Sequence, residues 1–206
     1  MGRPRNADPA LTRRRILDAA IRRFGDQGLK ATSLRQIASD AGVTFATVHH
    51  HFGTKDDLHA RCVEECFTNL EGLEGDLMQV VAKHAGDIEE VIRRTAMCAF
   101  RYALERNVYS RFLLRTTVFE ADAPQRDRLV DAQRKYLDTA SRLLAPVLKR
   151  TPQSLRVPLQ GLMFLLTRVA LTTDAELETI GSDRESVRVD LQTYVADVAV
   201  ATLVHT

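Results

Sequence analysis

Several absences limit what this chain of 206 residues can be. It has three cysteines, an odd number, so we expect no disulfide framework and a cytoplasmic location. No apolar run approaches the roughly 18–20 uncharged residues that a membrane span needs. The longest candidate, 161–173, is shorter and contains Arg168. The N-terminal residues MGRPRNADP have no apolar core of the kind that a secretory signal carries.

Motifs of the common enzyme classes are absent too. The chain contains no H-E-x-x-H metal motif, no glycine-rich phosphate loop and no nucleophile elbow. We therefore expect neither an enzyme nor a cofactor. One enzymatic alternative stays open, a helical protein that uses its histidines and cysteines in catalysis. It requires His49–His51 to converge on a pocket.

Two groups of residues have side chains of the metal-binding type. The adjacent residues His49–His51 lie on a predicted helix and point in three directions, which argues against a single metal site. His59, Cys62 and Cys66 share one helical face, a spacing that suits a metal or a redox-sensitive thiol. Because cysteine often fills a protein core, we favour core packing for this second group and predict no metal site.

Charge is distributed unevenly along the chain. Residues 1–61 contain 11 lysines or arginines and 6 acidic residues, a net charge of +5, whereas residues 62–206 carry a net charge of −3. A positive segment neutralises phosphates, and an acidic remainder avoids nucleic acid. The asymmetry favours DNA binding by the first third, but it is weak support by itself because many soluble proteins contain such a segment.

Every long segment carries helical signals and none shows sustained alternation of polar and apolar residues, so we predict an all-α fold. Asp8 followed by Pro9 predicts the start of the first helix, and Gly28 predicts its end. Ser33 and Gln36 have the spacing of a capping box and open the second helix. The remaining predicted helices are 45–51, 55–80, 87–105, 108–121, 125–149, 154–173 and 183–204.

The second and third predicted helices form a helix-turn-helix pattern. Gly42 is a residue that tolerates positive φ at the corner, and Thr44 is placed to cap the next helix. We expect Val43 to fill the core beneath the turn, and the small Ala38 lets the two helices approach closely. A third helix of this kind has the shape of a recognition helix for the DNA major groove.

The residues Thr32 to Leu58 resemble the DNA-binding signature of the TetR family of transcriptional regulators; they read TSLRQIASDAGVTFATVHHHFGTKDDL. The preceding segment, RRRILDAAIRRFGDQG, is similar to the first helix of that family. Two positions depart from the family pattern. His49 stands where tyrosine is usual, and Ala46 stands where glycine is frequent. The histidine can still donate to a phosphate, but the protein's affinity for DNA would then depend more on pH than with a tyrosine at this position.

The resemblance implies which residues contact DNA. Phosphate contacts are expected from Ser33, Thr44, Thr47, His49, His50 and Lys55. Candidates for contacts to base edges are Arg35, Phe45, Ala46 and again Thr47 or His50, and either Phe45 or Ala46 is a candidate contact for a thymine methyl. Arg3 and Arg5 form a basic arm that either reaches a phosphate or minor groove or is a disordered tail. We expect His51 to pack beside Phe52 against the first helix.

The resemblance also implies that the C-terminal part binds a small effector and forms a homodimer through its last two helices. Its aromatic residues either line an apolar cavity or, as is usual at helical spacing, fill the core. The candidate ligand contacts are Met97, Phe100, Arg101, Phe112, Arg115, Phe119, Tyr136, Met163, Phe164 and Arg168. Arg168 and Asp197 have apolar neighbours in sequence, so we predict that they pair within a chain or across the dimer.

The sequence thus predicts residues 1–54 as a three-helix helix-turn-helix DNA-binding domain and residues 55–206 as a larger helical domain for ligand binding and dimerisation. The predicted function is a ligand-responsive transcriptional regulator. Its simplest form is a repressor that binds a palindromic operator as a dimer and is released by a small, partly apolar effector. A DNA-binding protein that senses no ligand is a further alternative, favoured if the C-terminal helices enclose no cavity.

Overall fold

The structure is a computed structural model that describes residues 8–84, 86–118 and 126–205. The described residues form ten helices and no strand, which confirms the all-α prediction. In chain order the helices are α1 (Pro9–Ala31), α2 (Leu34–Ala41), α3 (Phe45–Phe52), α4 (Lys55–Lys83), α5 (Ile88–Glu105), α6 (Asn107–Val118), α7 (Arg126–Leu148), α8 (Pro152–Ala170), α9 (Asp174–Ile180) and α10 (Arg184–Leu203). No single helix in these described ranges is long and apolar enough to cross a membrane, although α8 and α9 pass that test together as a pair bent by 97°.

The first two helices begin where their caps predict. The Asp8 carboxylate accepts a hydrogen bond from the Ala10 amide at 2.9 Å, and a proline occupies the first turn. The capping box between Ser33 and Gln36 is formed in both directions. Gly28 breaks the regular helix at the predicted position, with a non-helical φ of 85° and ψ of 169°, and the three residues after this kink complete α1.

One connection that we expected to be a break is a helix. Between the predicted helices 154–173 and 183–204 the chain forms α9. A capping box between Thr173 and Glu176 starts it, and Leu177 is its buried residue. The sequence prediction omits this helix because seven residues with one buried leucine produce no apolar periodicity.

The chain divides into two compact units. The first comprises the described residues of Met1–Thr68 and of Arg111–Leu129, so it contains α1, α2, α3, the start of α4, most of α6 and the first residues of α7. The predicted DNA-binding domain, residues 1–54, lies within this unit. Its buried apolar side chains come from all six helices and include Ile16, Ala20, Phe24, Ile37, Ala38, Val48, Phe52, Leu58, Phe112 and Leu129. Distant in sequence, α6 joins this core through Phe112, whose ring centroid is 6.3 Å from that of Phe24.

The second unit comprises the described residues of Asn69–Ser110 and Val130–Thr206. Within it α5 packs against α8 and α10, and α9 packs against α10. One buried apolar cluster joins α5, α7, α8 and α10 and consists of Ile92, Leu144, Ala145, Leu155, Ala199, Val200 and Leu203. A second cluster joins α5, α8 and α10 and consists of Phe100, Ala103, Ala170 and Val195. Part of the apolar circumference of α10 is therefore covered by its own chain.

The ion pair predicted between Arg168 and Asp197 is wrong as an intrachain contact. Arg168 pairs with Glu176 of α9, and Asp197 pairs with Arg93 of α5. The glutamate is the capping residue of the helix that the sequence prediction omits, so its position beside α8 could not be foreseen. All four side chains remain substantially exposed, because their apolar sequence neighbours lie on other faces of the helices.

Candidate DNA-binding surface

The turn between α2 and α3 has the geometry that its glycine allows. Gly42 adopts φ 63° and ψ 38°, the left-handed conformation that is unfavourable for residues with a Cβ. The Val43 amide donates to the Ala38 carbonyl at 2.9 Å. Arg15 of α1 donates to the carbonyl of Ala41, the last residue of α2. These hydrogen bonds satisfy carbonyls at the end of α2 and fix the direction in which the chain leaves it.

Helix α3 begins at the predicted cap and turns one face to the core. The Thr44 hydroxyl oxygen accepts a hydrogen bond from the Thr47 amide at 3.1 Å and lies 2.8 Å from the Thr47 hydroxyl. Val48 and Phe52, four residues apart, are buried. The guanidinium of Arg13 in α1 lies 4.8 Å from the centroid of the Phe52 ring and so holds the end of α3 to α1.

The opposite face of α3 is exposed. Its exposed residues are Phe45, Ala46, His49 and His50, and the half-buried Thr47 lies beside them. Phe45 is 46% exposed, and its ring centroid is 6.1 Å from that of His49. The guanidinium of Arg35, from α2, lies 6.0 Å from the same ring. Short side chains with polar or aromatic tips thus project from one helix face, an arrangement that fits a groove lined by base edges.

His51 differs from its two histidine neighbours. It is half-buried, and its ring centroid is 6.3 Å from that of Phe52, as expected for this pair. Its packing against the first helix stays a prediction. His49 and His50 remain exposed. Within the described part of the chain, no cluster of His, Cys, Asp or Glu has the geometry of a metal site.

Two of the predicted phosphate contacts already cap helices. The Ser33 hydroxyl accepts from the Gln36 amide at 3.3 Å and donates to the Gln36 side-chain oxygen at 2.8 Å. Thr44 plays the same part for α3. Both hydroxyl groups are exposed and lie at helix N-termini, where free amides and the helix dipole favour an anion. A phosphate at either position would share the hydroxyl with the cap.

Lys55 has a structural role that its sequence context does not reveal. Its ammonium donates to the carbonyls of Leu29 at 2.8 Å and Thr32 at 3.0 Å. These carbonyls lie at the C-terminal end of α1, so Lys55 ties the start of α4 to that end. An ammonium has three N–H donors, which leaves one for a phosphate.

Ion pairs that the sequence analysis missed hold the helices of this unit together. Arg23 of α1 makes two hydrogen bonds to the Asp40 carboxylate of α2. This contact lowers the pKa of Asp40 below its usual value, chiefly through the hydrogen bond. Arg14 pairs with Glu65 of α4. Their partners are 17 and 51 residues away, so no local pattern could have identified them.

His59, Cys62 and Cys66 belong to the core of the first unit. The His59 ring lies edge-on to Phe24, with centroids 5.0 Å apart, and 5.1 Å from Phe112. Both cysteines are buried, and burial raises the pKa of each thiol. The structure confirms core packing, and a raised thiol pKa disfavours the reactive thiolate.

Two residues predicted to contact a ligand lie in the first unit instead. Phe112 is fully buried beside Phe24 and His59. Arg115 donates to the carbonyls of Asp26 and Gln27 at 3.3 and 3.2 Å. Both are on α6, which contributes to the core and to a helix end in this unit.

The other candidate ligand contacts are dispersed. Phe100 lies in a buried cluster of the second unit, and burial raises the pKa of Tyr136. Met97 and Met163 are half-buried, whereas Arg101, Phe164 and Arg168 are exposed. Phe119, like Arg3 and Arg5, lies outside the described residues.

A cavity of about 150 Å³ lies between α4 and α5 in the second unit. Its lining consists of Gly72, Asp76, Cys98, Arg101, Tyr102, Glu105 and Arg106. Arg101 is the predicted ligand contact that contributes to it. The guanidinium of Arg106 lies 4.2 Å from the Tyr102 ring centroid. With two arginines and two carboxylates in its wall, this cavity is more polar than the apolar one expected from the sequence.

Known proteins are similar in sequence to part of the first unit. Residues 16–62 match the family model described as bacterial regulatory proteins, tetR family. The chain is 39% identical over 93 residues to the HTH-type transcriptional regulator AcrR of Shigella flexneri, a match that covers 45% of this chain and 42% of AcrR. It is 50% identical over 48 residues to the HTH-type transcriptional regulator BetI of Brucella anthropi, covering 23% and 25%. The chain therefore matches less than half the length of these relatives.

Solved structures resemble the whole chain at lower identity. A putative TetR-family transcriptional regulator from Mesorhizobium loti is 19% identical, with a TM-score of 0.62 over 96% of this chain and 98% of that one. AibR in complex with isovaleryl coenzyme A and operator DNA is 17% identical, with a TM-score of 0.65 over 94% and 98%. At identities of 19% and 17%, the resemblance shows only that the folds are alike.

Proposed function

The chain belongs to the TetR family of bacterial regulatory proteins, and from this premise we propose that it is a transcriptional regulator that binds operator DNA through α3. The DNA-binding domain is residues 1–54, and residues 55–206 bind an effector and form a dimer. The protein acts in the cytoplasm. In this proposal the protein is a repressor that binds a palindromic operator as a dimer. Repression is relieved when a small effector favours a dimer geometry that no longer fits the DNA.

One observation carries this proposal. Helix α3 buries Val48 and Phe52 and leaves the face with Phe45, His49 and His50 exposed. Gly42 and the Thr44 cap fix the start of that helix after α2. An eight-residue helix that is held at its start and exposed on one face is the form that major-groove recognition needs.

Roles for the individual residues follow from position and chemistry. Contacts to phosphates are assigned to Ser33, Thr44, Thr47, His49, His50 and Lys55. Contacts to base edges are assigned to Arg35, Phe45, Ala46 and again Thr47 or His50. The exposure of Phe45, Ala46, His49 and His50 supports these assignments, while Lys55 has one N–H left for a phosphate after its two carbonyl contacts.

The dimer is assigned to α8 and α10. Val157 and Phe164 are 82% and 54% exposed, and because they stand seven residues apart they share one face of α8. Tyr194 and Val189 of α10 are exposed as well. Exposed apolar side chains on two helices support a self-complementary interface between two copies of the chain.

A substitution tests the dimer. Phe164→Glu is expected to weaken self-association at least about tenfold, since it places two unpaired carboxylates in a symmetric interface. Val130→Glu on α7, where the valine is 43% exposed, is the matched control and leaves self-association unchanged. Sedimentation equilibrium of the full chain measures both. Wild-type protein that is monomeric at micromolar concentration contradicts this part of the proposal.

The polar cavity supports an effector with polar groups of both signs, because Arg101 and Arg106 in its wall suit an anionic group while Asp76 and Glu105 suit a cationic one. The enzymatic alternative finds no such support. It requires His49–His51 to converge on a pocket, yet two of these histidines are exposed on α3. Cys62 and Cys66 are buried and their thiol pKa values are raised, so they are poor nucleophiles.

DNA binding is tested first with duplex DNA from upstream of the protein's own gene, across a series of salt concentrations. We expect sequence-selective binding whose logarithmic affinity falls linearly with the logarithm of salt concentration. Thr47→Ala and His50→Ala should each lower the affinity of the dimer by about tenfold to a hundredfold, since each removes one contact per subunit. His84→Ala, at the end of α4 in the second unit, is the matched control and binds like the wild type.

If the protein does not bind that duplex, binding sites are selected from a random pool of duplexes. Recovery of a shared sequence supports the proposal and locates a distant operator. A pool that stays random refutes the proposed function. Binding without any response of the operator complex to a library of small apolar, acidic and basic compounds supports the alternative of a DNA-binding protein that senses no ligand.

A further inference from the structure

Phe45 is the large apolar side chain that α3 leaves on its exposed face. It is 46% exposed, while the other bulky apolar residues of the helix, Val48 and Phe52, are buried. It is the first helical residue after the Thr44 cap and therefore lies at the N-terminal end of α3. Keeping a phenyl ring in water is unfavourable, and this cost is recovered only when another surface covers the ring.

Two polar neighbours flank the Phe45 ring. The guanidinium of Arg35 is 6.0 Å from the ring centroid, within the range of a cation–π contact, and the His49 ring is 6.1 Å away. Both neighbours have N–H donors that suit phosphates or base acceptors. The phenyl ring between them has no hydrogen-bond donor, so the group that it can contact favourably on DNA is an apolar one.

The major groove offers one prominent apolar group, the C5-methyl of thymine. We propose that Phe45 reads this methyl group and thereby fixes a thymine at one position of each operator half-site. Ala46 is also exposed and is the competing candidate, but its single methyl covers much less surface than a phenyl ring. This inference rests on the proposed function, in which α3 enters the major groove.

The test removes only the methyl group. Sites are first selected from random duplexes with wild-type protein, and each thymine of the selected site is then replaced by uracil in both half-sites. Uracil keeps every hydrogen-bonding group of thymine. One position is expected to respond, with affinity about fourfold weaker per methyl and about 15-fold weaker for the symmetric pair, as loss of one buried methyl predicts.

Substitution of the residue completes the test. Phe45→Ala should bind thymine and uracil duplexes equally at the responsive position, while Phe45→Leu retains part of the preference. Leu11→Ala is the matched control, since Leu11 is a 60% exposed apolar residue on α1, and it keeps the full preference. Thermal unfolding checks that the variants fold. Lower salt brings weak variants into the measurable range, because phosphate contacts strengthen there.

The outcomes separate this inference from the function on which it rests. If no duplex sequence is selected, the proposed function and this inference are both overturned. If a site is selected but no thymine responds to uracil, DNA recognition stands and the role of Phe45 is refuted. A uracil effect that persists unchanged in Phe45→Ala also refutes it and assigns the methyl contact to another residue.

Discussion

Replacement of Gly42 by alanine should destabilise the first unit and weaken DNA binding together. Gly42 has φ 63° and ψ 38° at the corner between α2 and α3. A residue with a Cβ is strained in this left-handed conformation. A Cβ built on Gly42 would also lie 2.6 Å from an Arg15 guanidinium nitrogen, so the arginine has to move away from the Ala41 carbonyl.

The size of the effect follows from two costs and one offset. The left-handed conformation costs alanine about 1–2 kcal/mol, and disturbance of a charged hydrogen bond to the carbonyl of Ala41 adds up to about 1.5 kcal/mol. The lower chain entropy of unfolded alanine offsets about 0.5 kcal/mol. The free energy of unfolding should therefore fall by about 0.5–3 kcal/mol. Gly42→Asn separates the causes, because asparagine tolerates the left-handed region but still displaces Arg15.

Denaturant unfolding of the full chain, followed by circular dichroism, measures these changes. Gly75→Ala in α4 is the matched control, since its added Cβ meets nothing within 4 Å. This control should stabilise its helix by about 0.5–1 kcal/mol, the ordinary gain of replacing a helical glycine. A Gly42→Ala protein as stable as the wild type would refute the left-handed turn and with it the argued placement of α3.

Three further expectations concern stability. Lys55→Met removes two hydrogen bonds to carbonyls at the end of α1 and should lower the free energy of unfolding by about 1–3 kcal/mol without DNA present. Lys83→Met, at the exposed end of α4, is the control. If it lowers the free energy of unfolding by the same amount, the two contacts of Lys55 do not stabilise the fold. Because Arg23 lowers the folded-state pKa of Asp40, that carboxylate contributes stability above its ordinary pKa of 3.8 and loses it as the pH falls through the folded value. Asp40→Asn should therefore flatten the loss of stability in acid titrations below pH 3.8, and parallel curves contradict this. The thiols of Cys62 and Cys66 are buried and should react with an alkylating reagent only as the protein unfolds, so rapid labelling of either one in the native protein contradicts this burial.

Local chemistry explains what the sequence predicts well. The starts of α1, α2 and α3 depend on caps within three residues of the helix, at Asp8, Ser33 and Thr44. The corner at Gly42 likewise needs only its own conformational freedom. Because α3 then shows a clear split between buried and exposed positions, its outer face could be predicted residue by residue.

Contacts between distant segments explain what the sequence does not predict. Phe112 fills the core beside Phe24, and Arg115 of the same helix caps part of α1, although both were expected at a ligand. Aromatic residues at helical spacing identify a buried face, but nothing in that spacing says which of two units receives it. Glu176 beside Arg168 is a further case, since the partner comes from a helix too short to show apolar periodicity.

Some residues of the candidate site also hold the fold together, and this affects how its variants are interpreted. The hydroxyls of Ser33 and Thr44 cap α2 and α3, and the ammonium of Lys55 binds two carbonyls of the α1 end. Each of these groups is also an assigned phosphate contact. Loss of DNA binding in Thr44→Ala therefore has two possible causes, a missing phosphate contact and a helix α3 destabilised by about 1 kcal/mol. His50 caps no helix, so loss of binding in His50→Ala at unchanged unfolding free energy isolates a contact to DNA.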